Sequence, residues 1–114
     1  MQRNDPLLLD MLQAARQIRE YTIGLQKQDF LNSRRDQDAV LLQFTVLGET
    51  AKRVSPEFRD AHPEIPRRKI MGFRNVVAHE YFYIDFHQAW KVASRDIPEL
   101  ISTLEPLVPP ESAG

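Results

Sequence analysis

Apolar residues along this chain recur at three- and four-residue steps, the period of a helix with one buried face. Leu8, Leu12, Ala15, Ile18, Thr22 and Leu25 make the first stripe. It is entered through Asp5-Pro6, a capping residue followed by a proline suited to the first helical turn, and it runs to near Lys27. Asp29-Phe30-Leu31-Asn32 reads as a short turn. From Arg34 to Val54 a second long helix carries Val40, Phe44, Leu47, Ala51 and Val54, a heptad-like seam suited to near-antiparallel packing. Ser55-Pro56 closes it, and one or two helical turns are expected between Pro56 and His62.

Pro63 and Pro66 bracket a connection, and a third long helix is predicted from Pro66 to about Tyr81, with Ile70, Phe73, Val77 and Tyr81 on its core face. After the loop Phe82-Tyr83-Ile84, Asp85 is a good N-cap for a last helix. Its stripe is Ala89, Ala93, Ile97, Leu100 and Leu104, with Trp90 alongside. Pro98 lies inside this stripe and should kink or split the helix. No segment sustains two-residue alternation, so strands are not expected. The reading is an all-α, up-and-down bundle of four main helices plus short helical turns over residues 1–107, with a disordered tail at 108–114.

Composition narrows the function. The 114 residues suit one domain with a modest core, for which self-association would add stability. With no cysteine, disulfides, thiol catalysis and thiolate metal sites are excluded. The formal charge of −1 gives no support for general coating of nucleic acid, so any RNA contact must use a local patch. No apolar run approaches the roughly 18 residues of a membrane span, and Met1 to Pro6 has no export-signal apolar region, so a cytoplasmic protein is expected.

Candidate chemistry gathers on the third long helix, in Arg74-Asn75-Val76-Val77-Ala78-His79-Glu80-Tyr81. Asn75 precedes His79 by four residues and shares its helical face. Arg74 precedes it by five, roughly 140° away around an ideal helix, so the two meet only through side-chain reach or a second subunit. A histidine titrating near neutrality can take a proton from an RNA 2′-hydroxyl or return one to a leaving oxygen. Arg74 can hold a phosphate and the charge that builds on it, and Asn75 can orient His79 or bond the phosphate. Arg67-Arg68-Lys69, at the start of the same helix, can attract an RNA backbone. Each residue also has an ordinary bundle role: Arg74 paired with Glu49 or Glu80, His79 at a helix C-terminus, Tyr81 as core filler, the basic run as a solvated face. His62 reads as a solvated loop residue and His87 as a neutral surface residue. There is no second histidine at zinc-protease spacing, no Glu-x-x-His and no glycine-rich phosphate loop, so neither metal nor cofactor is expected.

Arg74, His79 and Tyr81 together resemble the Arg-x4-His-x-Tyr signature of HEPN-domain toxins of the HepT group. Gly48-Glu49 with Ala51, Glu64-Ile65-Pro66, Gly72-Phe73-Arg74-Asn75, Ile84-Asp85, Trp90 and Asp96 to Leu100 are similar to the group's surrounding segments, so the likeness extends from about Leu8 to Leu104. The resemblance implies an all-α homodimer with two motifs facing a shared cleft. It implies metal-independent RNA cleavage by Arg74 and His79, with Asn75 as the polar residue of the motif. It also implies a partner, an MntA-like nucleotidyltransferase antitoxin of a type VII-like toxin–antitoxin system, which inactivates the toxin by moving AMP onto Tyr81. The chain departs from the group at Arg67-Arg68, where tryptophan is frequent, and at Phe73, where methionine is frequent. Tyr83 is a second candidate for modification. The alternative is a non-catalytic HEPN domain that binds nucleotide or substrate for a nucleotidyltransferase.

Overall fold

The computed structural model describes residues 4–79 and 83–109, and within these the backbone alone of Phe73 and of 75–79. Among the described residues there is no strand, and the fold is all-α. Helix α1 spans Asp5–Thr22. Its N-cap is Asn4 rather than Asp5, and the Asn4 side chain ties the start of α1 to the far end of the second long helix. Asn4 Nδ2 donates to Ser55 Oγ and Ser55 N donates to Asn4 Oδ1, each at 3.0 Å. α1 ends about one turn before the expected Lys27. Ile23 turns extended, Gly24 takes φ +83°, and the Thr22 hydroxyl donates to the carbonyls of Ile18 and Arg19. A positive φ is open to glycine and poorly tolerated by other residues.

The expected turn at 29–32 lies in a short helix, α2, Lys27–Leu31, closed by a capping box between Gln26 and Asp29. It exists to deliver Phe30, which is fully buried and meets Phe86 and Trp90 at ring-centroid distances of 6.5 and 5.5 Å. Gln37 is buried too, and its amide satisfies the carbonyls of Phe30 and Leu31 at 3.0 and 3.1 Å. α3 spans Arg34–Lys52 behind the N-cap Ser33, whose Oγ accepts from Asp36 N. The whole predicted seam, Val40 to Val54, is buried. α4, Pro56–Ala61, starts at the N-cap Ser55, and α5 spans Arg67–His79.

Asp85 caps the last helix as expected, accepting from His87 N and Gln88 N at 2.9 and 3.3 Å. The helix runs as α6, Phe86–Lys91, a π-helical turn, Val92–Asp96, and α7, Ile97–Leu104, and a 3-10 turn, Glu105–Leu107, follows. Pro98 neither splits nor ends it. A proline inside an α-helix removes one N–H and presses on the carbonyl four residues back, here Ser94. The wider π turn just before Pro98, with Ile97 N donating to Val92 O, absorbs the mismatch. The stripe Ala89, Ala93, Ile97, Leu100, Leu104 stays buried throughout. α3 packs most extensively on α5 and α1, and α1 in turn on α7. α3 is therefore the central platform, and whatever α5 carries is positioned against it. Of the expected tail, Val108 still donates to Leu104 O and packs on the core, and 110–114 lie outside the described residues.

Candidate active site

The α3–α5 contact is built around a residue with no side chain. Gly48 is buried on α3, and a Cβ added there would lie 2.6 Å from Arg74 Cγ and closer still to Arg74 Cβ. The stem of Arg74 therefore lies directly over Gly48, and the two helices can approach this closely only because position 48 is glycine. One residue further on, Glu49 receives the guanidinium. Arg74 Nε donates to Glu49 Oε1 at 2.7 Å, and Nη2 donates to the same oxygen. The Arg74 side chain keeps 24% of its surface exposed and Glu49 keeps 49%, so the pair stands at the edge of the helix contact, facing solvent. Of the two carboxylates considered for Arg74, Glu49 is engaged, and Glu80 lies outside the described residues.

Asn75 and His79 continue α5, and the helical backbone extends through His79. On that unbroken helix, positions 74 and 79 are separated by about 7.5 Å along the axis and roughly 140° around it. Tyr81, the position of the expected modification, lies outside the described residues, while Tyr83 is 84% exposed.

The basic run does not form one patch. Successive helical residues point about 100° apart, and its three members go to different places. Arg67 turns toward α3, donating from Nε to Ala51 O at 3.2 Å. Burial first, and the neighbouring charge of Arg59 second, lower its pKa. Lys69 turns toward the π turn and pairs with Asp96 Oδ2 at 2.9 Å. Arg68 is exposed. His62 is not simply solvated. It caps α4, stacks on Phe58 with ring centroids 4.3 Å apart, and holds Glu64 Oε2 through Nδ1 at 3.0 Å, which lowers the Glu64 pKa. His87 is exposed, as expected. Among the described residues no three His, Asp or Glu side chains come together as a metal site. No helix among them is long and apolar enough to cross a membrane.

The clearance at Gly48 and the arrangement of Arg59 with Arg67 escaped the linear reading. A spacing of seven on α5 was the available signal for the second. Arg67 and Arg74 fall two turns apart on nearly the same line, and both reach the α3 side.

The all-α scaffold is consistent with a HEPN-like fold. The chain belongs to the HepT-like ribonuclease family, whose model, described as "Ribonuclease HepT-like", matches residues 11–107. A Thermococcus cleftensis protein named "Probable ribonuclease HepT" is 35% identical over 100 residues, covering 88% of this chain and 91% of the relative. "Putative RNase MJ1380" of Methanocaldococcus jannaschii is 30% identical over 98 residues, covering 86% and 90%. "Putative RNase TTE0752" of Caldanaerobacter subterraneus is 30% identical over 95 residues, covering 83% and 85%. No solved structure matches the chain.

Proposed function

We propose that this chain is an endoribonuclease that cuts RNA without a metal ion, acting as the toxin of a toxin–antitoxin pair in the cytoplasm. Membership of the HepT-like family supports RNA as the substrate. The observation that carries the site is the seat of Arg74 over Gly48, with Glu49 fixing the guanidinium at the solvent edge of α3 and α5. An arginine held this way needs little reorganisation to meet a phosphate.

In the reaction, His79 takes the proton of a ribose 2′-hydroxyl and the 2′-oxygen bonds to phosphorus. The bond from phosphorus to the 5′-oxygen breaks, and that oxygen leaves with the proton that His79 returns to it. The products are a 2′,3′-cyclic phosphate and a 5′-hydroxyl. Arg74 neutralises the charge that builds on the phosphate oxygens, and Asn75 orients His79. The offset of positions 74 and 79 around α5 supports a homodimer in which a second copy helps complete each site. Arg68, exposed on α5, and Arg67 and Lys69, turned to different faces of it, add positive charge along the helix that the strand follows. The antitoxin is an MntA-like nucleotidyltransferase that transfers AMP to Tyr81. A bulky anion beside Arg74 would occupy the phosphate position and repel RNA.

The test is an RNA-cleavage assay with purified protein and the variants Arg74→Ala and His79→Ala. Loss of cleavage in both supports the reading. Cleavage unchanged in either overturns the assignment of the pair, and nucleotide binding by a wild type that cuts no RNA would mark a nucleotide-binding companion instead.

A further inference from the structure

Two turns before Arg74 along α5, a small open pocket of about 40 Å³ lies between α3, α4 and the start of α5. Its floor is apolar, made by Met11, Val54 and Ile65. Its rim is cationic, with Arg59 from α4 and Arg67 from α5. The two guanidinium groups are near enough for the charge of Arg59 to depress the pKa of Arg67, and burial depresses it further. Arg59 Nε is buried with no hydrogen-bond partner. Among the described residues neither arginine pairs with a carboxylate, and Glu64 close by is engaged by His62. Two like charges and an unsatisfied buried donor at the mouth of one cavity are unfavourable unless an anion joins them. Beside them the Phe58–His62 ring pair, half-buried, offers a stacking surface of the kind that single-stranded bases use.

We propose that the mouth of this pocket is a second nucleotide subsite of the RNA strand, with a phosphate held by Arg59 and Arg67 and its base against the Phe58–His62 pair outside it. The inference rests on the ribonuclease reading above. Arg67 and Arg74 are seven residues apart, about 10 Å along α5 on nearly the same side, so one strand can place one phosphate at Arg74 and another at the mouth of this pocket. Recognition here extends the substrate along α5 toward α4, and the partner of Arg67 is Arg59 rather than its sequence neighbours.

The test uses a 2′-O-methylated RNA octanucleotide, which binds but cannot attack its own phosphate, with cleavage of unmodified RNA scored separately. Fluorescence anisotropy should show Arg59→Gln weakening binding about threefold to tenfold and lowering the slope of affinity against salt by about one. Arg59→Lys should recover most of that affinity. In the wild-type protein, the Nε–H resonances of Arg59 and Arg67 should shift on adding the octanucleotide, a readout that does not depend on how a variant folds. Wild-type protein that cuts RNA while these resonances stay unmoved, or a folded Arg59→Gln that binds as the wild type does, overturns the subsite alone. Wild-type protein that neither binds nor cuts RNA overturns the ribonuclease reading and the subsite together.

Discussion

Placing a methyl group at Gly48 sets two effects of similar size against each other. In an open helix, glycine to alanine is stabilising by about 1 kcal/mol, because alanine gives up less backbone freedom on folding. At Gly48 the added carbon would meet Arg74 at Cβ and Cγ. These are the root of the side chain rather than its movable tip, so α3 or α5 must shift. Overpacking of this kind costs about 1–3 kcal/mol, which leaves Gly48→Ala destabilised by up to about 2 kcal/mol. Gly72 is the internal control. It lies on α5, is exposed, and an added Cβ there has nothing within 4 Å. Gly72→Ala should raise stability by about 0.5–1 kcal/mol. Urea or thermal unfolding of the two variants separates them by sign, with roughly 4 °C of melting temperature for each kcal/mol. Equal stabilisation by both alanines would refute the close seat of Arg74 on α3.

Glu49→Gln keeps an acceptor oxygen but removes the charge that fixes Arg74. Because the pair is partly exposed, stability should change by less than about 1 kcal/mol, while RNA cleavage falls about tenfold through lost positioning, measured by unfolding and by steady-state kinetics on the same protein. Asp85→Ala removes the cap that accepts from His87 N and Gln88 N and should destabilise by about 0.5–2 kcal/mol, with circular dichroism reporting the loss in urea. Glu64 has a folded pKa below its ordinary value of 4.5 because His62 hydrogen-bonds its carboxylate. Its contribution is therefore complete above that value and lost as pH falls through the lower folded value, and the acid limb of the melting curve should flatten in Glu64→Gln.

The first, second and last long helices were legible because their stripes are periodic over about four turns, and the seam from Val40 to Val54 is buried as the spacing predicts, while the Phe73, Val77 and Tyr81 side chains of the third lie outside the described residues. Boundaries were less so. Leu25 fits the α1 stripe by spacing, yet the backbone has already turned at Gly24. Pro98 was legible as a conflict, but its resolution through a π turn depends on the packing of Val92 and Ile97 in the core. At the site, the pairing of Arg74 with Glu49 was one of two options in the sequence, and helix packing decided it. The divergence of the basic run was not legible as a run, because adjacent residues point to different faces of a helix. Arg67 and Lys69 lie two positions apart and contact different elements.

The central claim is that Arg74 and His79 cut RNA through the substrate's own 2′-hydroxyl. Its most direct measurement is the chemistry of the ends produced when purified protein acts on RNA in excess EDTA. The account predicts 2′,3′-cyclic phosphate and 5′-hydroxyl ends from unmodified RNA, none from fully 2′-O-methylated RNA, and none with Arg74→Ala or His79→Ala. Cleavage of the 2′-O-methylated strand, or 5′-phosphate ends that appear only when a divalent metal is restored, would contradict it.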